Sequence, residues 1–488
     1  MTDQNRLSAD HAATILSDMQ HRHIVVIGDV MLDTFVDGSV GRISPEAPIP
    51  ILAHQSTSHM PGGASNVARN LAHLGGQVTL IGVTGDDGAR DMLLHYLSEE
   101  PAITAHLIAD PLRPTTTKTR FMAKGHQLLR VDDELARPIN GNSLMEMISI
   151  IQATLDNADM VIISDYDKGV IQPPIMKAII SHPKRDMFKV LADPKQPQIS
   201  LYDGVDILTP NLAEFDRFCL NHNIAIPDSI DSQVIDEIAQ NLLSQTSINT
   251  MITTLSADGI LVSQQDNPPF HSHSFARSVF DVSGAGDTVI ALLGAAFSAG
   301  ASVVDAAILA NIAAGIVVAK SGTATVTPGE ILAANQQIPP FEPGHLADQI
   351  KEWKAQGDRI VFTNGCFDCL HPGHIWLLQT ARAKGDRLIV GLNSDASTKR
   401  LKGVHRPYQN ETDRVSALAA LASVDAVIIF EEDTPIELIT GLNPDILVKG
   451  GDYKADEIIG ADHMKTIGGS IEIIALRNGY STTRLNQS

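Results

Sequence analysis

Cysteine is nearly absent: Cys219, Cys366 and Cys369 are the only three among 488 residues. So sparse and odd a set builds no disulfide framework, which sets aside the small secreted scaffolds and agrees with a reducing cytoplasm. Aromatic residues are scarce at 4%, while 43% of the chain is hydrophobic and 36 residues are glycine. That is an aliphatic composition, suited to an α/β protein rather than to a disordered or fibrous one. Positive charge is in deficit, with 36 Lys and Arg against 57 Asp and Glu and a formal charge of −21. Such a field repels nucleic-acid backbones and anionic membranes, so neither is expected as a partner, and any bound anion must meet a locally arranged positive site. The opening stretch MTDQNRLSADHAATILSDM lacks the basic segment, apolar core and small-residue cleavage site of an export signal. The one long apolar run, 284–319, is interrupted by Asp287, Thr288, Asp305 and Asn311. It reads as two buried helices joined near 298–302, not as a membrane span.

What is present is enough chain for at least two cores. Short β-branched runs at 23–27, 78–83, 160–164, 189–192, 205–208 and 251–255 alternate with helical stretches, predicting a largely parallel sheet covered by helices. Residues 49–54 and 118–131, the latter turning at 124–127, predict a small β lid. A second series, at 359–363, 388–392, 426–430, 446–448 and 471–475, predicts a smaller α/β domain. Pro328, Pro339, Pro340 and Pro343 break the stretch between them. The expected organisation is therefore a domain over 1–330, a linker over 331–350 and a domain over 351–488.

In the first half, Asp281-Val-Ser-Gly-Ala-Gly-Asp287 leads into an apolar helix. Without side chains, Gly284 and Gly286, with Ala285 between them, let backbone N–H groups at a helix start approach a phosphate, forming an anion hole. Asp287 is placed to accept the proton of an attacking hydroxyl. On spacing alone, a glycine-rich turn with Asp287 as a helix cap is the alternative. The segment resembles the second signature of the ribokinase family of carbohydrate kinases, and further matches follow in chain order over 24–325. Gly62-Gly63-Ala64-Ser65-Asn66-Val67-Ala68 resembles the first signature, whose glycines and asparagine contact the sugar. Gly28-Asp29, with Asp33 one helical turn further on, resembles the early sugar-contacting acids. Asn211-Leu-Ala-Glu214 is similar to the NxxE motif, which holds magnesium and phosphate through water, so no direct metal ligand is assigned. Thr254-Leu-Ser-Ala-Asp-Gly259 is similar to the nucleotide-contacting stretch, although Ser256 stands where many members carry glycine. The resemblance implies Mg2+ with ATP, a monovalent cation in the kinase domain and a homodimer through the lid. Lys118 and Arg120 fall on one face of a lid strand and, with Arg42, Arg113 and Lys168, are candidates to bind a phosphate already on the sugar. A solvated basic strand edge is the alternative.

In the second half, 363–374 reads Thr-Asn-Gly-Cys-Phe-Asp-Cys-Leu-His-Pro-Gly-His, from a strand end into a helix starting near Gly373. His371 and His374 fall on one face of the first turn, aimed where a phosphate would meet the helix N-terminus. That suits stabilisation of a pentavalent phosphorus, a task of positioning and charge neutralisation. A zinc set with Cys366 and Cys369, or satisfied core histidines, are the alternatives. The segment resembles the cytidylyltransferase-like family and its HxGH motif, with matches continuing over 360–484. By that resemblance Asn364, Gly365, Phe367, Lys402, Arg414 and the cluster Ser481-Thr482-Thr483-Arg484 bind nucleotide, and Val448-Lys-Gly-Gly-Asp-Tyr453 is a later substrate motif.

A ribokinase-like kinase domain with a small β lid, followed by a smaller Rossmann-like nucleotidyltransferase domain, resembles the bifunctional heptose kinase and adenylyltransferase family of Gram-negative bacteria. The resemblance, not the composition, implies the substrates: ATP and phosphorylated heptoses, in cytoplasmic synthesis of ADP-heptose for lipopolysaccharide core. Another sugar kinase fused to a cytidylyltransferase, and a non-catalytic nucleotide-sensing protein, remain as rivals at this point.

Overall fold

The computed structural model describes residues 7–222, 224, 231–274, 282, 284–320, 322–336, 343–419, 421, 423–451 and 458–474. The chain divides into two compact units, Leu7–Ala334 and one that begins at Asn335.

The first unit is built on a nine-stranded sheet. Its spatial order is Phe270–Ser272, Ile260–Gln264, Thr250–Thr254, Ile207–Leu208, Lys189–Asp193, Met160–Ser164, His23–Gly28, Gln77–Thr84 and Ile103–Ala109. All pairings are parallel except those of Ile260–Gln264, which runs antiparallel to both neighbours. The central strands HIVVIG and MVIIS are near-continuous apolar runs because helices cover both faces of a parallel sheet. Strand order reverses between His23–Gly28 and Met160–Ser164, and the crevice beyond the carboxyl ends of such a pair is where open α/β sheets place ligands. The apolar run forms two helices, Ala285–Ser298 and Val303–Val317, both largely buried. Among the described residues no helix is long and apolar enough to cross a membrane.

The lid is larger than the sequence reading. Four strands lie in the order Pro50–Gly63, Val30–Ile43, Thr117–Ala123 and His126–Asp133. Gly38, Gly41 and several polar residues blur the alternation of VMLDTFVDGSVGRI, and pairing with Pro50–Gly63 on one side and Thr117–Ala123 on the other holds it extended. Asp33 is therefore on a strand, not one helical turn from Asp29 as expected. The stretch taken as linker is also more regular than expected, since helices Pro328–Gln336 and Pro343–Ala355 occupy much of it. Proline is tolerated as the first residue of a helix, where its missing N–H would have had no partner.

The second unit carries a five-stranded parallel sheet in the order Ala426–Phe430, Arg387–Asn393, Ile360–Gly365, Ile446–Gly450 and Ser470–Ile474. Side chains alternate across it, so Val361, Leu388, Val390 and Val448 pack in one core and Ile360, Phe362, Ile389 and Leu447 in the other. The first strand of the series is central, and its carboxyl end again lies at a reversal of strand order.

Candidate active sites

The carboxyl ends of His23–Gly28 and Met160–Ser164 deliver Asp29, Asp165 and Tyr166 to one crevice. Asp287 reaches the same place from the first turn of Ala285–Ser298, whose N-cap Gly284 has φ +78°. A side chain at Gly284 would be strained at that φ, and its Cβ would lie 2.9 Å from the Asn66 amide nitrogen. Asp287 is buried, with the Tyr166 hydroxyl donating to Oδ1 at 2.6 Å and the Asn66 amide donating to Oδ2 at 2.7 Å. Burial pushes the Asp287 carboxyl up to about 6, the hydrogen bonds from Tyr166 and Asn66 pull it down, and the charge of Asp33 adds to the rise. Asn66 is on the helix Ala64–His73 that follows Gly62-Gly63. The Asn70 amide donates to its carbonyl at 3.0 Å, and Thr288 donates to Asn70 Oδ1 at 3.1 Å. The two kinase signatures are thus bonded to each other. Gly62 stands against Asp33, whose Oδ2 would be 2.4 Å from a Cβ at that position.

The cleft beside Asp287 is lined by Gly284, Gly286, Asn211, Glu214, Thr254, Asp165, Asp193 and Lys195, among others. Asn211 and Glu214 form a reciprocal cap on the helix Leu212–Asn221, and the second Glu214 oxygen accepts from Lys195 Nζ at 2.8 Å. Burial, then the charges of Glu214 and Asp287, hold the Asp193 carboxyl well above its ordinary range. Among the described residues no group of three or more His, Cys, Asp or Glu is arranged to hold a metal ion.

Several expected contacts are placed differently. Asp29, expected to touch sugar, spends its carboxylate on the backbone N–H groups of Tyr166 at 2.8 Å, Lys168 at 3.1 Å and Val170 at 3.3 Å, so it pins the 166–170 loop. Arg113 is buried and donates to the carbonyls of Lys168 and Arg137, joining two loops instead of facing a substrate. Arg42 is exposed near the end of its lid strand. Arg120 pairs with Asp33 at 2.6 Å, Lys118 with Asp132 at 3.3 Å and Glu134 at 3.4 Å, and Lys168 with Glu134 at 2.7 Å. Arg120, Lys118 and Lys168 are therefore each held by an acid. Ser256 has φ +53°, the backbone region that favours the glycine many ribokinases carry there. It and Gly259 form the turn after Thr250–Thr254, and of that stretch Thr254 lines the cleft. Tyr166 and Lys195 were not singled out from sequence; the available signal was their position just past strand ends, in SDYDKG and ADPK. Asp281 and Ser283 lie outside the described residues.

In the second unit His371 caps the helix Pro372–Arg382, its Nδ1 accepting from the His374 backbone N–H at 3.4 Å. The neutral ring of His371 therefore carries its proton on Nε2. The rings of His371 and His374 stack at 3.8 Å and 16°, and Phe367 meets His374 edge-on at 5.2 Å. Burial, then the neighbouring His371 and Lys402, push His374 down to about 4; burial also lowers His371. Both rings are thus neutral at pH 7. Asn364, Gly365, Phe367, His374, Lys402 and Lys449 line one cleft. Cys366 is buried and Cys369 half-buried, and both are free thiols.

Arg414 has a structural part. Expected on the nucleotide, it is buried and donates to the carbonyls of Cys366 at 2.6 Å, Asn393 at 2.8 Å and Gln409 at 3.1 Å, and to Asp395 at 2.7 Å. It fastens the strand ends that carry the cleft. Asp368 does similar work nearby, pairing with Arg406 and accepting from the Tyr408 N–H at 2.5 Å. Ser481, Thr482, Thr483 and Arg484, with Asp452 and Tyr453, lie outside the described residues.

Each half of the chain is similar to known proteins. A profile of the pfkB family carbohydrate kinases matches residues 21–329, and a cytidylyltransferase-like profile matches 362–487. The chain is 45% identical over 471 residues to the Bifunctional protein HldE of Hyphomonas neptunium, covering 95% of this chain and 96% of that one. The chain belongs to the HldE family. The HldE protein of Caulobacter vibrioides is 43% identical over 470 residues, 95% of each chain. Like them, this HldE-family chain is a bifunctional enzyme, a carbohydrate kinase joined to a nucleotidyltransferase, with ATP and sugar phosphates as substrates. The ribokinase fold is shared with Arabidopsis thaliana ribokinase complexed with ribose and ATP, at TM-score 0.51 and 19% identity over 65% of this chain and 99% of that one. Escherichia coli phosphofructokinase-2 in complex with substrates and products gives TM-score 0.54 and 18% identity over 64% and 98%.

Proposed function

We propose that the first unit transfers the γ-phosphoryl group of ATP to O1 of D-glycero-β-D-manno-heptose 7-phosphate, and that the second joins heptose 1-phosphate to AMP from ATP, releasing pyrophosphate and ADP-heptose. A separate phosphatase removes the 7-phosphate between the two steps. The observation that carries the reading is the occurrence, in one HldE-family chain, of a buried Asp287 bonded to the sugar-signature Asn66 and of the stacked His371–His374 pair.

In the kinase site Asp287 takes the proton of the sugar hydroxyl, a role its carboxyl near 6 suits. Backbone N–H groups at 284–286 face the phosphate at the helix N-terminus, and Asn66 and Tyr166 hold the base in place. Four carboxyl groups, Asp165, Asp193, Glu214 and Asp287, crowd that cleft with one cation, Lys195, and a divalent ion carried in with ATP would relieve the mutual repulsion that helps to raise Asp193. Asn211 and Glu214 would hold magnesium there, and the ion would supply charge neutralisation to the ATP phosphates. A monovalent cation in this unit is part of the reading, supported by the potassium complex of E. coli phosphofructokinase-2. In the second site neutral His371 and His374 donate hydrogen bonds to the α-phosphate as charge builds, with Lys402 beside them and Arg484 assigned by resemblance. We assign a homodimer through the lid, whose Ile43, Leu129 and Val131 stand 61%, 57% and 48% exposed. Three free thiols are in keeping with a cytoplasmic setting.

Mass spectrometry of the products from ATP and heptose 7-phosphate tests the reading. A bisphosphorylated heptose alone, and ADP-heptose once a phosphatase is added, are the expected products. Turnover with CTP in place of ATP, or none with any sugar phosphate, would overturn it.

A second measurement concerns Tyr166→Phe. Removing the hydroxyl removes a hydrogen bond that stabilises the Asp287 carboxylate, so its pKa rises above about 6. The acid limb of the kinase kcat/KM profile then moves to higher pH, and the loss of rate is larger at pH 6 than at pH 8. An unmoved limb would remove Tyr166 from the site.

A further inference from the structure

Among the described residues Lys449 is a cation without a carboxylate partner. It stands near the end of Ile446–Gly450, the neighbour of the central strand Ile360–Gly365. Its Nζ donates to Asn364 Oδ1 at 2.6 Å and to the Asn364 carbonyl at 3.4 Å, both neutral acceptors. Among the described residues it forms no ion pair. Asp433, the carboxylate that lines the same cleft, is already paired with Arg400 at 2.7 Å. Taking an ammonium group out of water with no opposite charge costs free energy, and burial accordingly pulls the Lys449 pKa down. An anion entering the cleft removes that cost. The cleft also holds His374 and Lys402, so an anion bound there meets both cations together with the second HxGH histidine.

We propose that Lys449 is a catalytic residue of the adenylyl-transfer site, donating to a phosphate oxygen while the α-phosphorus changes partners. This rests on the adenylyl transfer of the preceding section. In that step an oxygen of the sugar phosphate forms a bond to the α-phosphorus of ATP as the bond to the bridging oxygen of pyrophosphate breaks. Two anions must approach each other, and neutral His371 and His374 offset none of that repulsion by net charge. Lys402 follows the strand on one side of the central strand and Lys449 stands on the strand on its other side, and both line the cleft with His374. The ligand chemistry is a phosphate oxyanion, from ATP or from the attacking sugar phosphate.

The test uses the full chain carrying Lys449→Met or Lys449→Arg. Adenylyl transfer is measured with ATP varied at saturating sugar 1-phosphate and the reverse, with thermal unfolding and kinase rate followed on the same samples. Lys449→Met is expected to lower kcat/KM for adenylyl transfer by about 10²-fold, the scale for losing one preorganised donor to a phosphate. Lys449→Arg retains a clearly larger share of the rate. A KM rise confined to ATP places the lysine on the nucleotide phosphates, and one confined to the sugar phosphate places it on the attacking group. Unchanged turnover in Lys449→Met, or equal losses in both variants, overturns the proposal, as does a loss matched by a fall in thermal stability with KM for both substrates unchanged. Should Lys449→Met fail to fold, Asn364→Asp supplies an acid that neutralises the lysine in place; it too must slow turnover, and an unchanged rate overturns the proposal. A wild-type chain that makes no ADP-sugar would instead sink the proposed function itself.

Discussion

Asp287→Asn is expected to lower kinase turnover by roughly 10³-fold while adenylyl transfer proceeds at the wild-type rate. The substitution keeps the size of the side chain and removes its basicity. It also gives the side chain one acceptor where two donors converge, the Tyr166 hydroxyl at 2.6 Å and the Asn66 amide at 2.7 Å, so one of them loses its partner. Both effects act on the transferred proton and on the base that receives it. Release of ADP with saturating heptose 7-phosphate measures the first activity, and formation of ADP-sugar from heptose 1-phosphate the second, on one preparation. Kinase turnover within an order of magnitude of wild type would remove Asp287 from the reaction. Loss of both activities would mean that the substitution acts through folding.

The complementary result is expected from the double variant His371→Ala, His374→Ala: no measurable ADP-sugar, with phosphorylation of the heptose preserved. Loss of one preorganised donor at a developing anion costs about 10² to 10³ in kcat, and here two donors are removed together. The pair is also a mechanical unit, because His371 caps the helix that carries His374 and the rings stack at 3.8 Å. Single variants are therefore expected to be strongly non-additive, each losing most of what the double variant loses. The depressed pKa values carry a sign. With His374 near 4, acidification from pH 7 to pH 5 leaves that ring largely neutral in the free enzyme, so the adenylyl-transfer rate is not expected to depend on titration of His374 in that window. A double variant that still produced ADP-sugar would eliminate the assignment.

The order of motifs along the chain was enough to point to both candidate sites, because strand ends at a reversal of sheet order and glycine-rich helix starts have local signatures. The partners of those motifs were not legible in the same way. Tyr166 and Asn66 meet Asp287 across 121 and 221 residues, and no local pattern announces which hydroxyl or amide will arrive there. Charge was the weakest guide. Arg414 and Asp29 have the residue types of ligand contacts, yet the fold uses both to satisfy backbone groups at strand ends and loops. Lys449, by contrast, sits within a segment read only as a substrate motif, and its pairing with the neutral Asn364 becomes visible only once the neighbouring strand is placed beside it. The lid shows a limit of a different kind. Glycines and polar residues dilute the alternation of Val30–Ile43, and the strand is held by partners on either side rather than by its own pattern.

The two units have separate sheets and separate hydrophobic cores, and each catalytic constellation draws all its described residues from one of them. In genetic terms the chain is two cistrons written as one. A cell carrying one copy with Asp287→Asn and another with both histidines replaced holds an intact version of each half, so the two defective alleles complement each other. The heptose intermediate, which leaves the first enzyme to lose its 7-phosphate, can finish its journey on a different molecule.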